Sequence, residues 1–146
     1  MTVGYLRREP PASPEQIDQL ERRIGTSLPA DYRQYLAEQN GGRLENNNEA
    51  AKTVFGLGDE LPDYTNMADM LDTYAGRVPA WLLPVAQDEY GNLFAVSLRP
   101  EDNGSLWFWD HEEEADEGEP PAEDNIQRKA DSWSQFLNQL TPPPVA

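Results

Sequence analysis

The apolar positions of this chain fall into helical and strand-like periods in turn. Ile17, Leu20 and Ile24 recur at spacings of three and four, which is the period of one helix face. Ser13-Pro14-Glu15-Gln16 stands just before them. A serine cap, a proline in the first turn and a glutamine three residues on are the parts of a capping box. Gly25 is a natural terminator. Leu28-Pro29 opens a second helix with Tyr32, Tyr35 and Leu36 on its apolar side, and Asn40-Gly41-Gly42 stops it, because Asn and Gly accept a left-handed backbone. Met67, Met70, Leu71 and Tyr74 predict a third helix around 65–75. Packing accounts for these methionines and tyrosines better than a cofactor role does. A last helix spans Asp131 to Leu140, with Trp133, Phe136, Leu137 and Leu140 on one side, and Thr141-Pro142-Pro143-Pro144 ends it.

Between these helices the period falls to two. Arg43-Leu44-Glu45 and Thr53 to Leu57 read as short strands on either side of the loop Asn46-Asn47-Asn48. From Trp81 onward an antiparallel meander is expected: Leu82 to Ala86, a turn at Asp88-Glu89-Tyr90-Gly91-Asn92, Leu93 to Leu98, a loop, then Ser105 to Trp109. Phe94, Val96 and Leu98 share a face; on the next strand Leu106 and Phe108 point one way, Trp107 and Trp109 the other. That strand is either central and covered on both sides, or it carries its tryptophans on a partly wet face. Residues 110–125 read as a long acidic loop.

The 146 residues suffice for one domain, and 38% of them are hydrophobic. A chain of this length buries roughly two-thirds of its unfolded surface. The mean hydropathy of -0.77 warns of disorder, but the apolar residues cluster in periodic segments, which argues for a packed core. Cysteine is absent, so disulfides, thiolate metal sites and cysteine nucleophiles are excluded. The N-terminus lacks the apolar run of a signal peptide, and no stretch approaches the roughly 18 apolar residues of a membrane span. A soluble, cytoplasmic protein is expected.

Charge changes the picture more. The net charge is -16, and it is uneven: -1 over residues 1–48, -16 over 49–124 and +1 over 125–146. A field concentrated in this way repels nucleic acid and lipid phosphate and attracts basic proteins. Acid scattered over a surface would serve solubility alone, but this block is concentrated.

Within the block, Ser105 to Glu119 runs from aromatics into the lone histidine and then into acid. Asp110, His111, Glu112, Glu113 and Glu114 are metal-ligand types, yet consecutive residues on an extended chain point in alternating directions and converge poorly on one ion. No second histidine completes a zinc site, and the spacing of an EF-hand loop is missing. A serine-histidine-acid triad would have to use His111, without a serine elbow to present the nucleophile. Carboxylates on a mobile loop stay solvated, with nothing to raise a pKa for acid–base work. Asn40-Gly41-Gly42 follows a helix, whereas a phosphate loop precedes one. No catalytic residue, metal or cofactor is therefore expected. His111 is expected to pack or hydrogen-bond locally at a strand end.

Four stretches together resemble a known family. Ser13-Pro14-Glu15 with Ile17, Leu20-Glu21, Gly25, Leu28-Pro29-Ala30-Asp31-Tyr32, Tyr35-Leu36 and Asn40-Gly41-Gly42 is similar to the opening of the SUKH superfamily. That superfamily includes the fungal Smi1/Knr4 cell-wall regulators and many bacterial immunity proteins. Leu83-Pro84-Val85-Ala86 with Asp88, Gly91-Asn92 and Leu93-Phe94 resembles its central strand pair. Gly104 to Glu112 resembles its aromatic strand, and Ala130-Asp131-Ser132-Trp133 with Phe136-Leu137 its closing helix. Trp133 replaces the usual phenylalanine, and the insert Glu113 to Asp124 is longer and more acidic than the family pattern. The resemblance implies an α+β fold without catalytic residues or cofactor, and in bacteria the neutralisation of toxins, often nucleases.

The two readings converge on one α+β domain over 13–141, an antiparallel sheet of about six strands with helices packed against it. Residues 1–12 and 142–146 are expected to be tails. The function expected is an immunity protein that binds a basic toxin domain, with no nucleic-acid or membrane partner. The alternative is a regulatory or scaffolding module of the Smi1/Knr4 type. A hydrolase has only the acids to motivate it. The residues expected to bind the partner are Trp107, Trp109, Asp110, Glu112, Glu113, Glu114, Asp116 and Glu117.

Overall fold

The computed structural model describes residues 3–143. In chain order it contains β1 (Tyr5–Arg8), α1 (Pro14–Ile24), α2 (Ala30–Glu38), β2 (Gly42–Leu44), β3 (Ala51–Val54), α3 (Met67–Tyr74), β4 (Leu82–Asp88), β5 (Leu93–Ser97), β6 (Leu106–Trp109), β7 (Ile126–Ala130) and α4 (Trp133–Gln139). The strands form one sheet in sequence order, every neighbouring pair antiparallel.

Local chemistry sets the helix starts. Ser13 Oγ accepts from the Gln16 amide at 3.1 Å while Gln16 Oε1 accepts from the Ser13 amide at 2.9 Å, so the capping box closes in both directions. Such a cap contributes about 1 kcal/mol. Gly25 ends α1 in the left-handed region at φ 77°. The second helix stops differently from the expectation. It is capped by Gln39 in an extended conformation, and Asn40 turns inward, where its side-chain amide donates to Leu57 O at 2.6 Å and accepts from Leu57 N at 2.7 Å. Gly41 is needed for close approach, since a Cβ there would lie 2.5 Å from Val54 O.

The sheet has seven strands where about six were expected, and the two that the sequence pattern did not place, β1 and β7, are its edges. β1 lies inside the stretch assigned to an N-terminal tail; it carries Arg7 and Arg8, and Ala12 beyond it is buried. β7, at the other edge, exposes Gln127 and Arg128. Edge strands commonly carry charge, which discourages pairing with other chains and also erases the alternating apolar signal. Of the expected C-terminal tail, Pro142 and Pro143 are irregular, and residues 144–146 lie outside the described residues.

The sheet is covered on both faces. On one, α2 and α4 deliver an aromatic layer: Tyr32 meets Trp133 edge-on at 6.1 Å, and Phe136 lies 4.8 Å from Phe94, which in turn lies 5.5 Å from Phe108. Rings at these separations prefer tilted and edge-on contacts. On the other, α3 places Tyr74 edge-on to Trp109 at 5.6 Å, and Trp81 sits edge-on to Trp107 at 5.4 Å. β6, between β5 and β7, is therefore a covered inner strand.

Candidate partner-binding surface

The aromatic strand leads straight into the acidic segment, and its registry decides what each tryptophan does. Trp109 has no exposed surface. It is packed beneath Tyr74, and the Arg77 guanidinium lies 5.9 Å from its ring centre. Trp109 is thus corrected from a partner contact to a core residue. Trp107 is half-buried; its indole N–H donates to Ser105 Oγ at 2.8 Å, and Arg99 lies above the Trp81 ring at 3.5 Å beside it.

The acidic segment is a loop tethered to the body of the fold. Its base is closed by Asp110 N donating to Asn125 O at 3.0 Å and Asn125 Nδ2 donating to Asp110 O at 2.9 Å. Asp110 Oδ1 accepts from the Glu112 amide at 3.0 Å and starts a short 3-10 turn over His111–Glu113. His111 behaves as the sequence implied. Its Nε2 is bonded to Tyr90 O at 2.8 Å, and its amide donates to Asn92 Oδ1 at 3.1 Å, tying this turn to the β4–β5 turn. That turn is itself built on Asp88, which accepts from the amides of Tyr90 and Asn92 at 2.8 and 2.9 Å.

Two anchors lie farther along. Glu114 takes a two-pronged ion pair from Arg77, both contacts at 3.0 Å, while the same guanidinium sits 4.6 Å over Tyr74. Glu123 accepts from the Trp81 indole N–H at 3.2 Å. Glu114 therefore holds the loop down and is not a free contact. Between the anchors the chain turns at Gly118, where φ is 88°, and Glu119 N donates to Asp116 O at 3.0 Å. Glu112, Glu113, Asp116, Glu117 and Glu119 are exposed and make no ion pair among the described residues. The segment Glu114 to Glu119 walls a groove whose other side is Ala75-Gly76-Arg77, at the end of α3.

A second acidic group escaped the sequence reading. Asp63, Asp69 and Asp72 gather around α3, with Asp59 near them. The Asp69 carboxyl is held above the usual carboxylate range by desolvation first, then by Asp63, Asp72 and Asp59 around it. Its signal in the sequence was the three-residue spacing of Asp69 and Asp72 on the α3 period. α3 therefore runs from one set of acids to the other. Arg99 and Asp102 complete the frame. Arg99 grips Asp102 with both prongs, and Asp102 also accepts from Ser97 Oγ at 2.5 Å. Arg99 in turn holds its carboxyl below the usual range, the Ser97 bond adding to the effect.

This arrangement offers an organised field of negative charge with aromatic and arginine supports under it. Among the described residues no three of His, Cys, Asp and Glu converge as a cation site would require. Among the same residues no helix is long and apolar enough to cross a membrane.

Comparison with known proteins agrees with this architecture. A curated relative, the SPbeta prophage-derived uncharacterized protein YokK of Bacillus subtilis (strain 168), is 29% identical over 67% of this chain, and the alignment spans 62% of that protein's length. The model of the SMI1 / KNR4 family (SUKH-1) matches residues 11–139, nearly the whole described domain, and the chain belongs to that family.

Proposed function

We propose that this chain is a non-catalytic binding protein that neutralises a basic toxin domain by covering it. The observation that carries the reading is the anchored acidic loop. Glu114 and Glu123 are spent on Arg77 and Trp81, so the exposed carboxylates between them are presented without the full entropic cost of ordering a free segment. Nuclease domains fit as partners, because a cleft that holds phosphate is basic and an acidic surface can occupy it. Long-range attraction also speeds encounter, with rates that fall as salt rises. Asp110, Glu112, Glu113, Asp116 and Glu117 remain contact residues in this reading. Trp107 serves as a half-buried support, and the acids around α3 extend the surface. A prophage-derived relative is consistent with a role in conflict between genetic elements.

Co-expression tests the proposal. The genes beside this one are searched for a toxin domain, which is expressed with and without the chain, and survivors are counted. Rescue, together with a complex that weakens as salt rises, is the expected result. Failure to rescue, or the lack of a toxin-like neighbour, removes the immunity reading and gives the surface to a resident cellular partner, as in a scaffolding module; rescue by a complex indifferent to salt removes the electrostatic interface.

A further inference from the structure

In a molecule this acidic, one cross-strand row ends in two arginines. The register aligns Arg7 with Arg43, Arg43 with Thr53, and Thr53 with Gln87. Gln87 donates to the Tyr74 hydroxyl at 3.2 Å, so α3 covers that end of the row. Beyond α3, Arg7, Glu9, Arg43 and Thr53 line a groove together with Leu61, Pro62 and Tyr64. Arg7, Arg43 and Tyr64 are exposed; Tyr64 shows 65% of its surface.

Like charges directly opposite on paired strands are destabilising. This pair is kept close, because Gly42 lets β2 approach β1: a Cβ at Gly42 would stand 2.2 Å from Arg7 O. Arg7 Nε is partly neutralised by Glu9 at 2.8 Å, whereas Arg43 makes no ion pair among the described residues. One uncompensated guanidinium therefore faces the groove beside a second one that can share an anion with it.

We propose that this groove is a second docking site, one that takes an acidic, extended segment of a protein partner. One carboxylate is held between Arg7 and Arg43, and an adjoining apolar side chain lies against Leu61, Pro62 and Tyr64. Charge complementarity selects an anion, and the forked guanidinium geometry suits a carboxylate. The apolar wall favours a peptide over a free ion. This site is independent of the acidic loop, and its failure leaves the toxin-binding reading untouched.

The test uses the full chain, isotopically labelled, titrated with a capped Gly-Glu-Leu-Gly peptide while the Arg Nε–H and amide resonances are followed by NMR. Saturable shifts are expected at Arg7, Arg43, Gly42 and Thr53. Arg43→Gln weakens the affinity about tenfold, as expected for loss of one charge-assisted contact. Glu9→Gln strengthens it, while Arg22→Gln, on the far helix α1, leaves it unchanged. Absence of saturable shifts overturns the proposal, as does equal weakening by Arg22→Gln, which would mark nonspecific attraction. Tighter binding of inorganic phosphate at matched ionic strength, at the same residues, overturns the carboxylate assignment.

Discussion

Arg77 and Glu114 meet fork to fork, Nε to Oε1 and Nη2 to Oε2, each at 3.0 Å, with the guanidinium stacked over Tyr74. The contact joins the chain just after α3 to the acidic loop and lies above the fully buried Trp109. Removing it should loosen the loop without opening the core. The pair is partly screened by solvent, with Arg77 41% and Glu114 24% exposed. Glu114→Gln therefore costs about 0.5–1 kcal/mol of stability. Amide hydrogen exchange should accelerate between Glu114 and Glu123 and stay unchanged in β5 and β6. Unchanged protection in the loop would show that the ion pair is not its anchor.

The two tryptophans of β6 should separate by role. Trp109→Ala empties a site with no exposed surface and should cost about 3–5 kcal/mol in urea unfolding. Trp107→Ala should cost less, because that ring is half-buried and already borders solvent. Equal losses would contradict the burial difference on which the correction of Trp109 rests.

The exposed loop carboxylates should matter for encounter and little for folding. The combined variant Glu112→Gln, Glu113→Gln, Asp116→Asn, Glu117→Gln should keep stability within about 0.5 kcal/mol per site of the parent. Its association with a basic toxin domain should slow by about 10-fold or more at low salt, and the salt dependence should flatten. Stopped-flow association at two ionic strengths reads both quantities.

Asp102 and Asp69 predict opposite responses to pH. Asp102 is held low by Arg99 and Ser97, so its folded pKa lies below the unfolded value of about 3.9. Its contribution is present above that value and lost as pH falls through the folded pKa. Asp102→Asn should therefore destabilise at pH 7 by about 1–3 kcal/mol and have little effect in strong acid. Asp69 is held high by desolvation and by Asp63, Asp72 and Asp59. Its stabilising share is full below the unfolded pKa and lost as pH rises through the folded one. Asp69→Asn should thus stabilise the protein at neutral pH and do little in acid. Thermal melts from pH 3 to 7 test both signs.

The inner elements were legible because their apolar residues repeat. α1 begins and ends where its capping box and Gly25 place it, and β4, β5 and β6 follow the expected meander within a few residues. The edge strands were not legible. Tyr5-Leu6-Arg7-Arg8 and Ile126 to Ala130 owe their strand state to neighbours that supply hydrogen-bond partners, not to alternation of their own. Asn40 misled for a related reason: a residue type that often ends helices is used here to satisfy Leu57 across the fold.

By itself, the order of residues determined the family, the α+β class, the capped helix α1 with α2 close behind it and the concentration of acid in one stretch, since each rests on short-range pattern or on composition. The tertiary structure alone decided which carboxylates are free. Glu112 and Glu114 are alike in sequence, but only Glu114 lands beside Arg77, 37 residues away. It also decided that Trp109 is core and Trp107 support, and that Arg7 faces Arg43 across two strands far apart in the chain. Burial and ion pairing depend on what the fold brings within a few ångströms, and no local pattern encodes that distance.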